Sequence, residues 1–365
     1  MKVNGKNYTS IWIDEDSRVF IIDQRWLPHE FKIVELKTIS DFAISIKDMW
    51  VRGAPLIGVT AAFGFAKSIQ HDNSDKSLEK IKAILLSTRP TAVNLHWAVE
   101  MMYEFLINAD QDIRVEIALN KAKDILKRDI QSNNQIGKNG YEIIKNIIDK
   151  KNNDKINILT HCNAGWLATV DWGTATSPIY YAKQKGANIH VFVDETRPRN
   201  QGAQLTTWEL SHNGISHDLI VDNAGGHLMQ HKEVDLVLVG SDRTSSNGDV
   251  CNKIGTYLKA LSAYDNDIPF YVALPSSTID WAIKDGVKEI PIEERDSKEV
   301  NFVQGKDISN NIINVDIAPV GTKSRNPAFD VTPSRLVSGL ITEHGIFDAN
   351  YESLQNLKKL TDGDM

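Results

Sequence analysis

Long apolar runs are missing from this 365-residue chain: none approaches the roughly 18 residues needed to cross a bilayer. The N-terminus MKVNGKNYTS also lacks the charged-then-apolar order of a secretion signal, so a cytoplasmic protein is expected. An excess of basic charge is missing too. Lys and Arg number 41 against 48 Asp and Glu, a net charge of -7, and no Lys/Arg run offers a face to nucleic acid. Cysteine is scarce. Cys162 and Cys251 are the only two, and neither stands in a CxxC or Cys/His spacing that suggests zinc. No GxGxxG follows an apolar run, which removes support for a nicotinamide or flavin cofactor. His96, His161 and His227 lie in strongly patterned segments, and each reads as a hydrogen-bonded structural histidine rather than a metal ligand.

What is present is an ordinary globular composition, 41% apolar and 24% charged, in a chain long enough that two domains are expected. Ser10 to Phe31 reads as short strands stopped by Pro28. The apolar period then becomes helical over residues 39–49, 55–66, 94–107, 112–129 and 137–148. Residues 1–150 thus form a mostly helical N-terminal domain with short leading strands. After the polar run at 150–155 the pattern becomes strand, small-residue turn, helix: INILTH, NIHVFVDE, HDLIVDN, VDLVLVGSD and PFYVALP are five short apolar runs at helix-sized intervals. Continuous apolar strands of this kind belong to a parallel sheet covered on both faces. Residues 151–365 are therefore expected to be a Rossmann-like, doubly wound α/β domain.

Polar segments follow these strands where open α/β sheets bind ligands. THCNAG places Cys162 between a strand and the turn Asn163-Ala164-Gly165, which reads as leading into a helix whose N-terminus would lower the thiol pKa. GSDRTSSNGDVCNKIGTY delivers Asp242, Asn247, Asp249, Asn252 and Lys253; burial beneath a ligand would raise the Asp242 pKa and suit it to acid catalysis. In VFVDETRPRNQGAQ, Gln201 is suited to sugar hydroxyls, and Asp194 or Glu195 is expected to brace an arginine. Upstream, VRGAPLIG offers Arg52 and Gly53 before a helix with Pro55 in its first turn, an arrangement that holds anions. STRPTAVNL repeats the grammar with Arg89, Pro90 and Thr91, the last as a helix cap. Two arginines at two helix starts suggest a phosphate clamp. Thr332-Pro333 reads as an N-cap and first-turn pair in a closing segment that approaches the site through Asn326 and Phe329.

In order, RGAP, TRPTAVNL, THCNAG, DETRPRNQGA, GSDRTSSNGDVCNKIGTY and NPAFDVTP resemble the methylthioribose-1-phosphate isomerase family, itself related to the alpha, beta and delta regulatory subunits of the eukaryotic guanine-exchange initiation factor. The similarity runs through nearly the whole chain. It implies conversion of the aldose 5-methylthioribose 1-phosphate to the ketose 5-methylthioribulose 1-phosphate in methionine salvage. It also implies roles: Asp242 as proton donor to the ring oxygen, and Cys162 at C2, either as a base giving an enolate or as a stabiliser of a hydride shift. Arg52, Gly53, Ala54, Arg89, Gln201, Asn252 and Lys253 match the substrate-binding positions. No metal or organic cofactor is implied, and the family leads one to expect a homodimer formed through the second domain. Trp166, Cys251 and the segment ALPSSTID depart from the usual pattern, which leaves the group on C5 open: methylthio, the methyl of 5-deoxyribose 1-phosphate, or a hydroxyl. An isomerase of 5-deoxyribose 1-phosphate or ribose 1,5-bisphosphate is the sibling alternative. The alternative of another class is a non-catalytic regulatory subunit binding a sugar phosphate or nucleotide; the presence of both Cys162 and Asp242 argues for the enzyme.

Overall fold

The computed structural model describes residues 1–90, 92–152 and 154–361. Its N-terminal part begins with a short hairpin of Lys2–Val3 and Lys6–Asn7, followed by an antiparallel sheet of Ile11–Ile13, Val19–Ile22 and Ile33–Leu36, whose alternating apolar residues turn one face to a core. Five helices follow. Helix α1 (Ile39–Lys47) starts at a capping box in which Thr38 Oγ1 accepts from the Asp41 amide and Asp41 accepts from the Thr38 amide. Helix α2 (Ala54–Ser68) is apolar around nearly its full circumference, as a helix surrounded on all sides should be. It is packed by α1, α3 (Asp75–Leu86), α4 (Val93–Ile107) and α5 (Arg114–Lys150).

Where the sequence pattern suggests two helices over 112–129 and 137–148, the structure has one, the 37-residue α5. Gly137 and Gly140 weaken the helical signal, yet their hydrogens let α5 approach α6 (Thr176–Gln184) closely. A Cβ at Gly137 would stand 2.3 Å from Ser177 Oγ, and one at Gly140 2.4 Å from Pro178 Cγ. Packing, not propensity, decides here.

The second part is an α/β layer around a seven-stranded sheet ordered Gly345–Phe347, Gly339–Thr342, Phe270–Ala273, Leu236–Val239, Ile156–Thr160, Ile189–Asp194, Ser216–Ile220. All neighbours are parallel except the final hairpin of Gly339–Thr342 with Gly345–Phe347. The chain lays down three strands outward from Ile156–Thr160, then returns to place Leu236–Val239 on its other side. That reversal is the topological switch point, and the gap beyond the carboxyl ends of these two strands is where such sheets take ligands. The central strands are buried on both faces; Ser216–Ile220, at an edge, is largely exposed.

A smaller four-stranded sheet caps this end: Ile279–Asp280, Arg243–Ser245, Val250–Lys253 and Phe329–Thr332. Thr332 thus ends a strand, and Pro333 precedes only a single 3-10 turn, Ser334–Leu336. The expected Thr332-Pro333 cap is corrected accordingly: the tight hydrogen-bonded register with Val250–Lys253 claims Thr332 for the sheet. Among the described residues no helix is long and apolar enough to cross a membrane.

Helix α5 also carries a partly buried acid. Asp129 accepts the Val170 amide at 2.7 Å. Burial pushes its pKa up to about 7; the Val170 and Asn133 contacts pull it down, and the Asp171 and Glu343 carboxylates add to the rise. The folded state therefore keeps a proton that an unfolded aspartate sheds near 3.8. The stability this contributes is complete below that value and is lost as pH rises through about 7. Asp129→Asn, which preserves shape and acceptor, should raise Tm above the parent's at pH 8 and leave it unchanged at pH 3, below both titrations. Calorimetry showing the same Tm difference at both pH values would remove Asp129 titration as the cause.

Candidate active site

The loop after Ile156–Thr160 turns sharply at Cys162, whose φ of 66° lies in the left-handed region rarely used by residues with a side chain. Two hydrogen bonds hold that turn. The Cys162 amide donates to Thr196 Oγ1 at 2.8 Å, and the Cys162 carbonyl accepts from Thr206 Oγ1 at 2.7 Å. The thiol is left facing the gap, where it donates to Gln201 Oε1 at 3.5 Å.

Next to it, Asn163 bridges two opposite charges. Its backbone carbonyl and Oδ1 each accept from Arg52 Nη2 at 2.7 Å, and its Nδ2 donates to Glu209 Oε1 at 2.9 Å. Glu209, on α7 (Thr207–His212), is fully buried. It accepts further from the amides of Trp166 and Leu167, both at 2.9 Å, and from the Tyr180 hydroxyl at 3.0 Å. Only glycine fits at 165, because a Cβ there would lie 1.8 Å from Glu209 Oε2. Burial pushes the Glu209 pKa up, and the four donors oppose that rise.

Arg52 precedes α2, whose N-cap Gly53 has a φ of 91° and seats against Ala168; a Cβ at Gly53 would stand 2.3 Å from the Ala168 carbonyl oxygen. Pro55 sits in the first turn and no side chain caps the start of α2, which borders the gap through Gly53, Ala54 and Pro55. Burial works against the charge of Arg52 and likewise against that of Lys253. Lys253 donates to the Ala328 carbonyl at 3.0 Å and lies over the Phe329 ring, 4.6 Å from its centroid. Asn252 Nδ2 donates to Thr256 Oγ1 at 3.0 Å. Arg89 is paired with Glu293 at 3.3 Å.

Asp242 enters from the strand on the other side of the switch point. Gly240 allows the approach, since a Cβ there would meet the Ala164 Cβ at 2.7 Å. The Asp242 amide donates to the Cys251 carbonyl at 3.0 Å, which fixes the backbone. Burial raises the carboxyl pKa, while Lys253, Arg89 and Arg52 pull it back; the net direction is upward.

All nine residues singled out from the sequence, Cys162, Asp242, Arg52, Gly53, Ala54, Arg89, Gln201, Asn252 and Lys253, line this one cleft. Phe329 joins them, whereas Asn326 does not: its Nδ2 is spent on the Asp296 carbonyl and Glu299. Asn247 and Asp249 bond to one another and brace the loop. Thr91 lies outside the described residues. Asp194 does not brace an arginine; its Oδ2 meets His161 Nδ1 at 2.7 Å and Lys259 Nζ at 3.2 Å. His161 Nε2 meets the Ile254 carbonyl at 2.8 Å, so the ring ties the Cys162 loop to the one carrying Lys253. Among the described residues one set could converge on a cation, His161, Asp194 and Asp222, but the Lys259 ammonium already supplies positive charge to it through Asp194 and the Asp222 carbonyl.

One expectation is reversed. No α-helix starts after Cys162: a single 3-10 turn, Trp166–Ala168, follows, and α6 begins only at Thr176. Without a helix dipole to stabilise a thiolate, burial dominates, and the Cys162 pKa is raised although Arg52 and Lys253 oppose it. Glu209 is not among the residues singled out from the sequence. Its signal is a lone acid set directly between Trp208 and Leu210.

Replacing Glu209 by Ala strands two amides, a carboxamide and a phenol in the interior. Chemical denaturation should show a loss on the order of 3–5 kcal/mol; a loss under about 1 kcal/mol, the size of a single ordinary hydrogen bond, would show that the carboxylate does not organise the loop.

Comparison with known proteins places this geometry in company. Residues 50–349 match the Initiation factor 2 subunit family. A protein of Sinorhizobium medicae named methylthioribose-1-phosphate isomerase is 60% identical over 359 residues, covering 98% of this chain and 99% of that one. One of the same name from Brucella anthropi is 59% identical, with the same coverage. Among solved structures, 5-methylthioribose 1-phosphate isomerase from Pyrococcus horikoshii superposes with a TM-score of 0.83 at 38% identity, over 97% of each chain. The A. fulgidus structure titled translation initiation factor eIF-2B, subunit delta, gives 0.80 at 37% identity, over 97% of this chain and 100% of that one.

Proposed function

Since the chain belongs to the Initiation factor 2 subunit family, we propose that it is the isomerase of that family, converting 5-methylthioribose 1-phosphate to 5-methylthioribulose 1-phosphate in methionine salvage. The observation that carries this is the placement of Cys162 and Asp242 on the two sides of one switch point, in a cleft that also holds Arg52 and Lys253. Two desolvated cations and the amides of a helix start suit a phosphate dianion, whose charge restores what burial takes from each.

With the phosphate clamped on O1, the substrate cannot open to a free aldehyde, so the ring oxygen must be protonated as its bond to C1 breaks. Asp242, whose raised pKa favours the acid form, gives that proton. Hydrogen then moves from C2 to C1, and the proton leaving the C2 hydroxyl balances the one given to the ring oxygen. Of the two routes, the hydride shift suits this site better, because burial keeps Cys162 a neutral thiol and a poor base. Cys162 would then act beside C2, held by Gln201, by stabilising the transition state in surroundings that exclude water.

Within this reading the chain divides at residues 150 and 151, works as a homodimer, resides in the cytoplasm and uses neither metal nor organic cofactor; the apolar pattern along the chain supports the division and the location, and the family resemblance supports the rest. The likeness to the eIF-2B delta structure motivates a second reading, a binding subunit without chemistry.

Asp242→Asn and Cys162→Ser should each lower kcat by about 10²–10⁴ with little change in KM, the pattern of groups acting in the transition state. Because Asp242 must be protonated, kcat/KM should fall as pH rises through its elevated pKa, and Asp242→Asn should lack that limb. Substrate deuterated at C2 should retain the label at C1; complete exchange with solvent would reverse the choice of route. A wild-type protein inactive on every C5 variant of the sugar would favour the binding subunit.

A further inference from the structure

His161 directly precedes Cys162 and is buried without lining the cleft. Its ring lies between two acceptors: Nδ1 meets Asp194 Oδ2 at 2.7 Å and Nε2 meets the Ile254 carbonyl at 2.8 Å. A carbonyl has no proton to give, so Nε2 must carry one. Asp194 is wholly buried, and the same Oδ2 stands 3.2 Å from the ammonium of Lys259, itself buried. Only an ionised Asp194 matches that buried charge, so its carboxylate accepts and Nδ1 carries a proton as well. The ring is then an imidazolium.

Its surroundings balance that charge. His161 and Lys259 face Asp194 and Asp222, whose Oδ1 is 4.0 Å from Nδ1, and Lys259 also donates to the Asp222 carbonyl. On the Ile254 side stands Asp330, which accepts the Gly255 and Tyr257 amides at 2.7 and 3.1 Å.

Both ends of the link reach the cleft. Thr196 Oγ1 donates to the Asp194 carbonyl at 3.1 Å and accepts the Cys162 amide at 2.8 Å. At the other end Ile254 follows Lys253, and Gly255, with a φ of 102°, admits the ring: a Cβ there would stand 3.1 Å from both Cε1 and Nε2.

We propose that His161 is a positioning residue, an imidazolium locked between Asp194 and the Ile254 carbonyl, which fixes the spacing of Cys162 and Lys253 across the cleft. The role rests on the isomerase reading above. A misplacement of about 1 Å can cost on the order of 10²-fold in rate, so either tie should be felt in turnover although His161 touches no substrate.

Two variants separate the ties. His161→Asn places an amide near Nδ1 and cuts the link to Ile254; His161→Gln reaches toward Ile254 and cuts the link to Asp194. Each should lower kcat on 5-methylthioribose 1-phosphate by roughly 10- to 100-fold. Only His161→Asn, which frees the Lys253 loop, should also weaken the binding of inorganic phosphate, by about tenfold, the worth of one charge-assisted hydrogen bond. A dissociation constant does not depend on the fraction that folds, and a merely structural histidine would treat both variants alike. Nitrogen-15 spectra of the histidines at pH 8, without substrate, should show a ring protonated on both nitrogens that disappears in both variants. A bare ring nitrogen at His161, equal phosphate affinity in the two variants, or a kcat per folded protein within about twofold of wild type overturns the positioning role and leaves the isomerase reading standing. A wild-type protein that binds phosphate but does not turn over the sugar overturns the isomerase reading, and the catalytic part of this role with it.

Discussion

A single buried carboxylate organises the cleft. Glu209 lies in the interior, where a carboxylate is tolerated only if its lone pairs are met. The groups that meet them come from α6 and from the loop after Ile156–Thr160. Through Asn163 the same carboxylate positions Arg52, and through the Trp166–Ala168 turn it sets the platform on which Gly53 and the start of α2 rest. The turn also anchors the N-terminal strands: Ser10 Oγ donates to the Trp166 carbonyl at 2.8 Å and Gln24 Nε2 to the Leu167 carbonyl at 2.7 Å. Helix start, thiol loop and leading strands are thus held by one set of polar contacts.

The cleft's electrostatics run against those of the chain as a whole. A protein of net charge -7 concentrates Arg52, Arg89 and Lys253 around one opening and buries two of them. Low dielectric makes each cation costly when the cleft holds no anion and strongly attractive to one that enters. The same burial that weakens the cations raises both Asp242 and Cys162, shifting each toward its protonated form. In the proposed reaction, that shift lets Asp242 give its proton without first repelling the substrate's phosphate.

Much of this could be read along the chain. Apolar runs followed by polar turns gave the central strands and put Cys162 and Asp242 at their ends, and RGAP and TRP marked the two arginines. Three things could not be read locally. The length of α5 depends on glycines that exist for contact with α6, so the residues that make the helix possible look like its end. The Cys162 environment depends on a 3-10 turn that mimics a helix start in sequence but brings no dipole. Glu209 acts on groups 29 to 46 residues away in the chain, and nothing in its immediate neighbours announces that reach. Local pattern predicted position; tertiary contact decided charge state and helix length.

Helix α5 has a mechanical consequence. Its 37 residues extend about 55 Å, and it packs both on α2, whose start borders the cleft, and on α6. A bend between those contacts would break consecutive backbone hydrogen bonds in a helix clamped at Gly137 and Gly140. The cleft wall that carries Arg52 and the wall that carries Cys162 are in effect bolted to one beam. Any movement that admits a ligand is therefore expected of a connecting segment such as the one bearing Arg89, rather than of a hinge between the two walls.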